Sequence, residues 1–356
     1  MKKMKKHIIS ACLVAFAAVQ VFAGNPERAG QAGGTQLLVN SWARSAGMNG
    51  INIGSVNGVE SIMVNPAGLG TTRRTEIVFS HTRWLVGTDI SINTFGFSQS
   101  LKNAGVLGVY VTAFDLGDFI RTTEDSPEGD LGTFRPTYMN LGVSYAKKFT
   151  DHIYVGATVK LVHESIFDVA ANGMAFDAGV QYRTNLGKAD SLHSDRLKIG
   201  INLRNVGPTM QFGGDGLTFR TNRDEDFTSL ASRPSAEFEI PSVLSMGLSY
   251  DFYLGDDHRL TALGGFISNT FSHDQTGVGL EYGFKKFLMV RYSFLYEKDI
   301  LTDDRMTAFT GHAAGVTVEI PFKSGKDTKS TFGLDYSYRS TNPFNGVHSI
   351  GARIDL

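Results

Sequence analysis

Three stretches of this sequence set reactive side chains close together. His163-Glu164-Ser165 brings a base, a carboxylate and a hydroxyl into line, the set a hydrolase requires. In an extended chain adjacent side chains point to opposite faces, so His163 and Glu164 cannot act side by side on one reacting atom, and the chain reads as non-enzymatic. Asp224-Glu225-Asp226 offers oxygen ligands to a hard cation. It lacks the spaced ligands and turn glycine of a calcium loop and reads as a solvated charge cluster. Gly277, Gly279 and Gly283 have the look of a phosphate-binding loop, but they sit inside a strand pattern with no helix after them, and close packing accounts for them better. The nine histidines show no His-Glu-x-x-His or paired spacing, so neither a metal nor a cofactor is expected.

Composition points away from soluble chemistry. Of 356 residues 42% are hydrophobic and only 19% charged, and the 34 basic and 35 acidic residues leave a net charge of -1. That much apolar material excludes a disordered chain, and a balanced charge gives no bulk attraction for nucleic acid. The 40 glycines, 25 Phe and 12 Tyr suit twisted strands and membrane interfaces. Lys2, Lys3, Lys5 and Lys6, the apolar stretch from Ile8 to Val21, and Ala23 before Gly24 form a secretory signal peptide over 1–23. Ile9-Ser10-Ala11-Cys12 resembles a lipoprotein cleavage box, but the apolar stretch follows Cys12 instead of preceding it. Cys12 is the only cysteine, so the mature chain is expected to carry out no thiol or disulfide chemistry.

The elements that remain are strands. Leu197, Ile199, Ile201 and Leu203 share one face while Lys198, Gly200, Asn202 and Arg204 share the other, a period of two. Met246 to Leu254, Phe332 to Tyr338 and Ile153 to Leu161 repeat the pattern. Continued along the chain, it predicts about fourteen strands, near 75–85, 88–101, 105–116, 135–149, 152–166, 172–183, 197–207, 242–253, 258–269, 276–286, 287–297, 312–322, 330–340 and 346–356. Most run roughly ten residues or more, the length that crosses a bilayer at a tilt, whereas strands of soluble sandwiches average about five or six. The longest connections, near 117–134, 208–241 and 298–311, all fall on one side if the first strand runs outward; most of those on the other side are tight turns. The fold class is therefore all-β, a transmembrane antiparallel β-barrel in the Gram-negative outer membrane. Lys198, Arg204, Asp251, Asp335, Arg339 and Arg353 fall on the face assigned to the lumen.

Residues 24–74 do not alternate. Thr35 is placed to cap a short helix carrying Leu38, Val39, Trp42 and Ala46 with Gly47 ending it, and Pro66 forces Asn65 out of helical geometry. A barrel of fourteen strands is too wide for its own side chains to fill, so this segment is expected to enter it as a plug, leaving 75–356 as the barrel. The stretch from Ala43 to Gly50, with Arg44, Gly47 and Met48, followed by Asn65-Pro66-Ala67-Gly68-Leu69 and repeated Gly/aromatic strands, resembles the PorV/PorQ family of Bacteroidota outer-membrane proteins, itself similar to FadL-type fatty-acid transporters. Asn49 stands where the family pattern has Gly, and the chain ends Arg353-Ile354-Asp355-Leu356 without a terminal aromatic.

The resemblance implies a fourteen-stranded FadL-like barrel with an N-terminal plug. It also implies a role in type IX protein secretion: binding the C-terminal signal domain of exported cargo at the translocon and passing it to attachment-complex proteins. Phe212, Leu217, Phe219 and Phe227 in the longest external connection are the candidate partner-binding residues. The alternative is a FadL-like transporter of hydrophobic small molecules.

Overall fold

The computed structural model describes residues 24–185, 195–224, 227–285, 287–324 and 329–356. Fourteen strands form one ring: β1 (Thr75–Arg83), β2 (Ser91–Ser100), β3 (Val106–Asp115), β4 (Thr137–Lys148), β5 (Ile153–Ile166), β6 (Val169–Thr184), β7 (Leu197–Val206), β8 (Val243–Tyr253), β9 (His258–Asn269), β10 (Gln275–Phe284), β11 (Leu288–Glu297), β12 (Phe309–Ser324), β13 (Lys329–Thr341) and β14 (Val347–Asp355). Each pairs antiparallel with its neighbours in sequence, and β1 pairs with β14 from Glu76↔Asp355 to Arg83↔His348. Closure satisfies the ladder groups without leaving an edge, which is why a sheet can stand in hydrocarbon. These strands follow the expected ranges to within a few residues at their ends, as period-two patterning requires when the two faces meet different media.

The burial pattern is inside out. Ile199, Ile201 and Leu203 of β7 and Val155, Val159 and Leu161 of β5 are exposed, while Lys160, Thr158 and Asn202 are buried. Phe79, Phe95, Val143, Val278, Tyr292 and Ile350 continue the exposed apolar band around the ring. A soluble sandwich would place these side chains between two sheets; here they face away from the ring, as an apolar band against lipid requires.

Two connections hold strands that alternation did not reveal. Thr218–Asp224 pairs with Phe227–Ser232 in the longest external connection, and Phe119–Ile120 pairs with Thr133–Phe134 in another. The connection from 185 to 196, the longest of those facing the periplasm, lies for the most part outside the described residues, as do Glu225 and Asp226 of the acidic cluster and the signal segment with Cys12.

The sidedness can be tested because the mature chain is expected to lack cysteine. In intact cells an impermeant maleimide should label Glu124→Cys, in the connection after β3, and leave Asp256→Cys, in the turn between β8 and β9, unlabelled. Equal labelling of the two would show the strands to be misassigned, and labelling of Asp256→Cys alone would show the barrel to be inverted.

Candidate functional site

The lumen holds the N-terminal segment, and its local structure is set by the wall. A single helix from Thr35 to Gly47 does not form. The chain makes a 3-10 turn at Thr35–Leu38, runs extended through Val39, and coils again only at Ala43–Ala46. The reason lies across the lumen: Ser80 Oγ of β1 donates to the Ser41 carbonyl at 2.7 Å, and Thr82 Oγ1 donates to the same oxygen at 3.4 Å. That carbonyl is held by β1 rather than by a helical turn. Further along, Ser61–Val64 is a short helix, and Asn65 is extended at φ -155, so Pro66 opens the 3-10 turn Pro66–Thr71.

Polar side chains of the wall replace the missing secondary structure. Gln181 Nε2 donates to the carbonyls of Ile53 (3.0 Å) and Val56 (3.1 Å), Arg204 Nη1 to that of Met63 (2.7 Å), and Asn202 to that of Val64. In the other direction the Val59 N–H donates to Glu76 Oε2 at 2.9 Å. Buried backbone groups left unpaired would cost about 1–3 kcal/mol each, so these contacts fix both the path and the depth of the segment.

Asn65 and Asn49 are its two latches. Asn65 Oδ1 accepts from the Ala67 N–H (3.2 Å), and Asn65 Nδ2 donates to the carbonyls of Ile53 (3.1 Å) and Val180 of β6 (3.2 Å). Asn49 sits at φ 50, a left-handed conformation that asparagine tolerates. Its Nδ2 donates to Gly311 O (2.9 Å) and Ser293 Oγ (3.2 Å), and its Oδ1 accepts from Arg339 Nε (3.2 Å). The position at which the chain departs from the PorV/PorQ pattern is thus a side-chain tie to three strands. Sequence reading missed it, although an asparagine between Met48 and Gly50 is a usable turn signal.

Wall glycines make room for the segment. A Cβ on Gly156 would strike the Pro66 carbonyl, one on Gly200 the Ile53 carbonyl, and one on Gly179 the Asn65 side chain. Gly265 and Gly277 receive Ile51, with hypothetical Cβ contacts of 2.9 and 2.7 Å, and Gly47 approaches Gly315 so closely that its Cβ would lie 3.1 Å from that backbone. Gly277 and Gly279 therefore serve packing around Ile51 and cradle no phosphate. Trp42, Val59, Ile62 and Leu69 form the core between segment and wall, joined by Val78 and Tyr110 of the barrel. Ala67 and Leu69 are fully buried, and Gly68 packs under the Val56 carbonyl.

The charges of the lumen pair largely within the wall. Lys160 Nζ meets Asp177 at 2.6 Å, Lys198 meets Asp251 at 2.6 Å, and Glu281 joins Arg259 (2.6 Å) to Arg291 (3.2 Å). The segment contributes Arg44 and Glu60, which with Met48, Lys198, Asp251, Arg259 and Glu281 line a polar cavity of about 50 Å³. That volume holds a few water molecules and nothing larger, at roughly 10–15 Å³ of accessible volume for each. Ser45 Oγ donates to Glu60 at 2.9 Å. Burial pushes the Glu60 carboxyl above its ordinary value of 4.5, and Asp335 adds to the rise.

At the outer mouth the longest connection bends inward. Met210 and Ile240 pack with Leu37 of the segment and with Val162, Ala171 and Ala175. Phe212 rests on Phe238 at 5.4 Å and is half-buried, whereas Phe219 is exposed. Leu217 lines an open cleft with Phe219, Arg233 and Pro234; the Phe227 side chain lies outside the described residues. Of the four aromatic and aliphatic candidates, Leu217 and Phe219 are thus brought together while Phe212 turns to the mouth. His163 and Ser165 face outward, with His163 bonded to Asn172 at 2.8 Å, and Glu164 faces inward to Gln36 at 2.8 Å.

A closed antiparallel ring of fourteen strands, apolar outside and polar within, is an outer-membrane β-barrel. Its fold is FadL-like. The Pseudomonas putida toluene transporter TodX matches with a TM-score of 0.51 at 13% identity over 89% of this chain and 97% of that one. A deltaS2S3 mutant of TodX, described as a monoaromatic hydrocarbon channel, gives 0.51 at 13% identity over 88% and 97%. A Pseudomonas aeruginosa FadL homologue gives 0.49 at 11% identity over 88% and 98%. The sequence matches no protein-family model and no curated protein.

Two outcomes test the seating of the segment. Asn49→Ala removes three ties and should weaken seating by about 2 kcal/mol, roughly thirtyfold in the unseated fraction. Gly200→Val should push the segment off β7, because one backbone would have to enter another. Trypsin in detergent should then cut at Arg44 in both variants and spare it in the parent; equal resistance would refute the seating described. Glu60 supplies a pH dependence. Its raised carboxyl binds a proton more tightly when the segment is seated, so seating should be firmest below about 4.5 and weaken as pH rises through the elevated value. In a Trp84→Phe background, Trp42 fluorescence should show this loss with rising pH, and Glu60→Gln should flatten it.

Proposed function

We propose that this protein admits small hydrophobic molecules across the outer membrane, with residues 24–74 as a plug and 75–356 as the conducting barrel. The observation that carries this reading is the joint between the external connection and the plug. Beside Leu37, Met210 and Ile240, Arg28 pairs with Glu239 at 2.6 Å, and Ala32 bridges to Glu239 through the backbone. The same connection holds the cleft lined by Leu217, Phe219 and Pro234, about 290 Å³, near the lower bound of roughly 300 Å³ for small-ligand pockets. A molecule settling there bears on the connection that pins the plug. The cavity between plug and wall, about 50 Å³, is too small for a hydrophobic ligand, so passage by that route requires the plug to shift. The fold shared with TodX supports this reading over catalysis.

A second reading rests on a different surface. Phe119 stacks on Phe134 at 5.8 Å, Phe134 meets Phe167 edge-on at 6.2 Å, and Arg121 lies 4.5 Å over Phe167. An external aromatic and arginine cluster of this kind suits a protein partner. A PorV/PorQ-like role with type IX translocon proteins, attachment-complex proteins and cargo signal domains would use such a surface.

Deletion in the native cell separates the two. Transport predicts that uptake of a labelled monoaromatic hydrocarbon falls several-fold while the secreted and surface-attached proteins are unchanged, and that Phe219→Asp reproduces part of the loss. Intact uptake with cargo retained in the periplasm would overturn the transport reading in favour of the second.

A further inference from the structure

The lipid-facing surface changes character near its external rim, where three histidines and an arginine lie within the four consecutive strands β12, β13, β14 and β1. His81 and Arg83 lie on β1, His348 on β14 and His312 on β12, and all four point out of the barrel. Arg83 is exposed and stands directly opposite His348 across the closing pair of strands. One step toward the membrane centre the outward positions are Phe79, Phe95 and Ile350, all exposed and apolar. The imidazole and guanidinium side chains therefore begin where hydrocarbon-facing side chains end.

Each histidine is oriented by a cross-strand partner. His348 Nδ1 lies 2.8 Å from Tyr336 Oη with its ring against Tyr338 at 5.0 Å. His312 Nδ1 lies 2.7 Å from Tyr292 Oη with its ring against Phe294 at 4.8 Å. His81 Nδ1 lies 2.8 Å from Asn93 Oδ1. When a tyrosine hydroxyl donates to Nδ1, the imidazole proton sits on Nε2, which becomes a donor. The same pairing occurs at the periplasmic end, where His258 Nδ1 lies 2.6 Å from Tyr282 Oη. The pairing alone is thus an interfacial aromatic device; the arginine opposite His348 and the three histidines within four consecutive strands set the external rim apart.

We propose that Arg83, His81, His348 and His312 form a binding surface for the phosphate groups of a phosphorylated glycolipid in the external leaflet. Arg83 supplies the permanent charge and planar donors that phosphate prefers, the Nε2–H groups of His348 and His312 supply further donors, His81 spends its Nδ1–H on Asn93 Oδ1 and flanks the site, and Phe79, Phe95 and Ile350 meet the acyl chains. The Arg83 charge, the imidazole N–H donors beside it and continuity with the lipid-facing band select this occupant over a protein.

Native mass spectrometry on the mature full-length barrel in detergent tests it. The probes are a diphosphorylated glucosamine-disaccharide lipid, its dephosphorylated form, phosphatidylglycerol and inorganic phosphate. The expected result is retention of the diphosphorylated lipid above the other three. Arg83→Gln with His348→Gln should lower that retention at least tenfold, and His258→Gln should leave it unchanged. The heat-induced gel shift of each variant confirms that the barrel is folded. Equal retention of the dephosphorylated lipid or phosphatidylglycerol, displacement by an equal concentration of inorganic phosphate, or undiminished retention in the folded double variant would each overturn the proposal.

Discussion

Every backbone N–H and C=O removed from water has to find a partner, and this molecule meets that demand in two different ways. In the wall the answer is periodic: each strand pairs on both sides, and the ring closes at β1 and β14. In the lumen it is irregular. The N-terminal segment has too little helix to satisfy itself, so Gln181, Asn202, Arg204 and Ser80 of the wall take up its carbonyls. The segment's shape is therefore a property of the barrel as much as of its own sequence.

That division explains what could be read in advance. Strand positions follow from alternation, because outward residues such as Ile201 and inward ones such as Asn202 answer to different media at successive positions. The inward charges Lys198, Arg204, Asp251, Asp335, Arg339 and Arg353 were legible for the same reason. The helix expected from Thr35 was not formed, since local capping and spacing say nothing of a carbonyl claimed by Ser80 and Thr82. Asn49 was visible only as a departure from a pattern; its ties run to Ser293, Gly311 and Arg339, residues hundreds of positions away. The hairpin of Thr218–Asp224 with Phe227–Ser232 read as loop because its described side chains are mostly exposed, which leaves no buried face to enforce an alternating pattern.

The glycines link the two regimes. Inward positions such as Gly156, Gly179 and Gly200 forgo a side chain where the segment's backbone presses closest, so the wall is shaped to its contents rather than filled around them. Some wall charges are meanwhile matched with one another, as in Lys160 with Asp177 and Lys198 with Asp251, while others such as Arg204, Glu76 and Arg339 bond directly to the segment. The ties between wall and segment are short-range hydrogen bonds and close contacts, which makes seating steep with distance: a small displacement loses most of it.

The join between β1 and β14 also imposes an order on biogenesis. The occupant of the lumen is translated ahead of all the strands that surround it, and the ring is complete only when β14 reaches β1. A segment tied to β1, β6, β7, β11 and β13 by side chains pointing inward is most simply installed while the sheet is still an open trough. The seam then acts as a final fastening, and the cell inherits a vessel that is packed before it is shut.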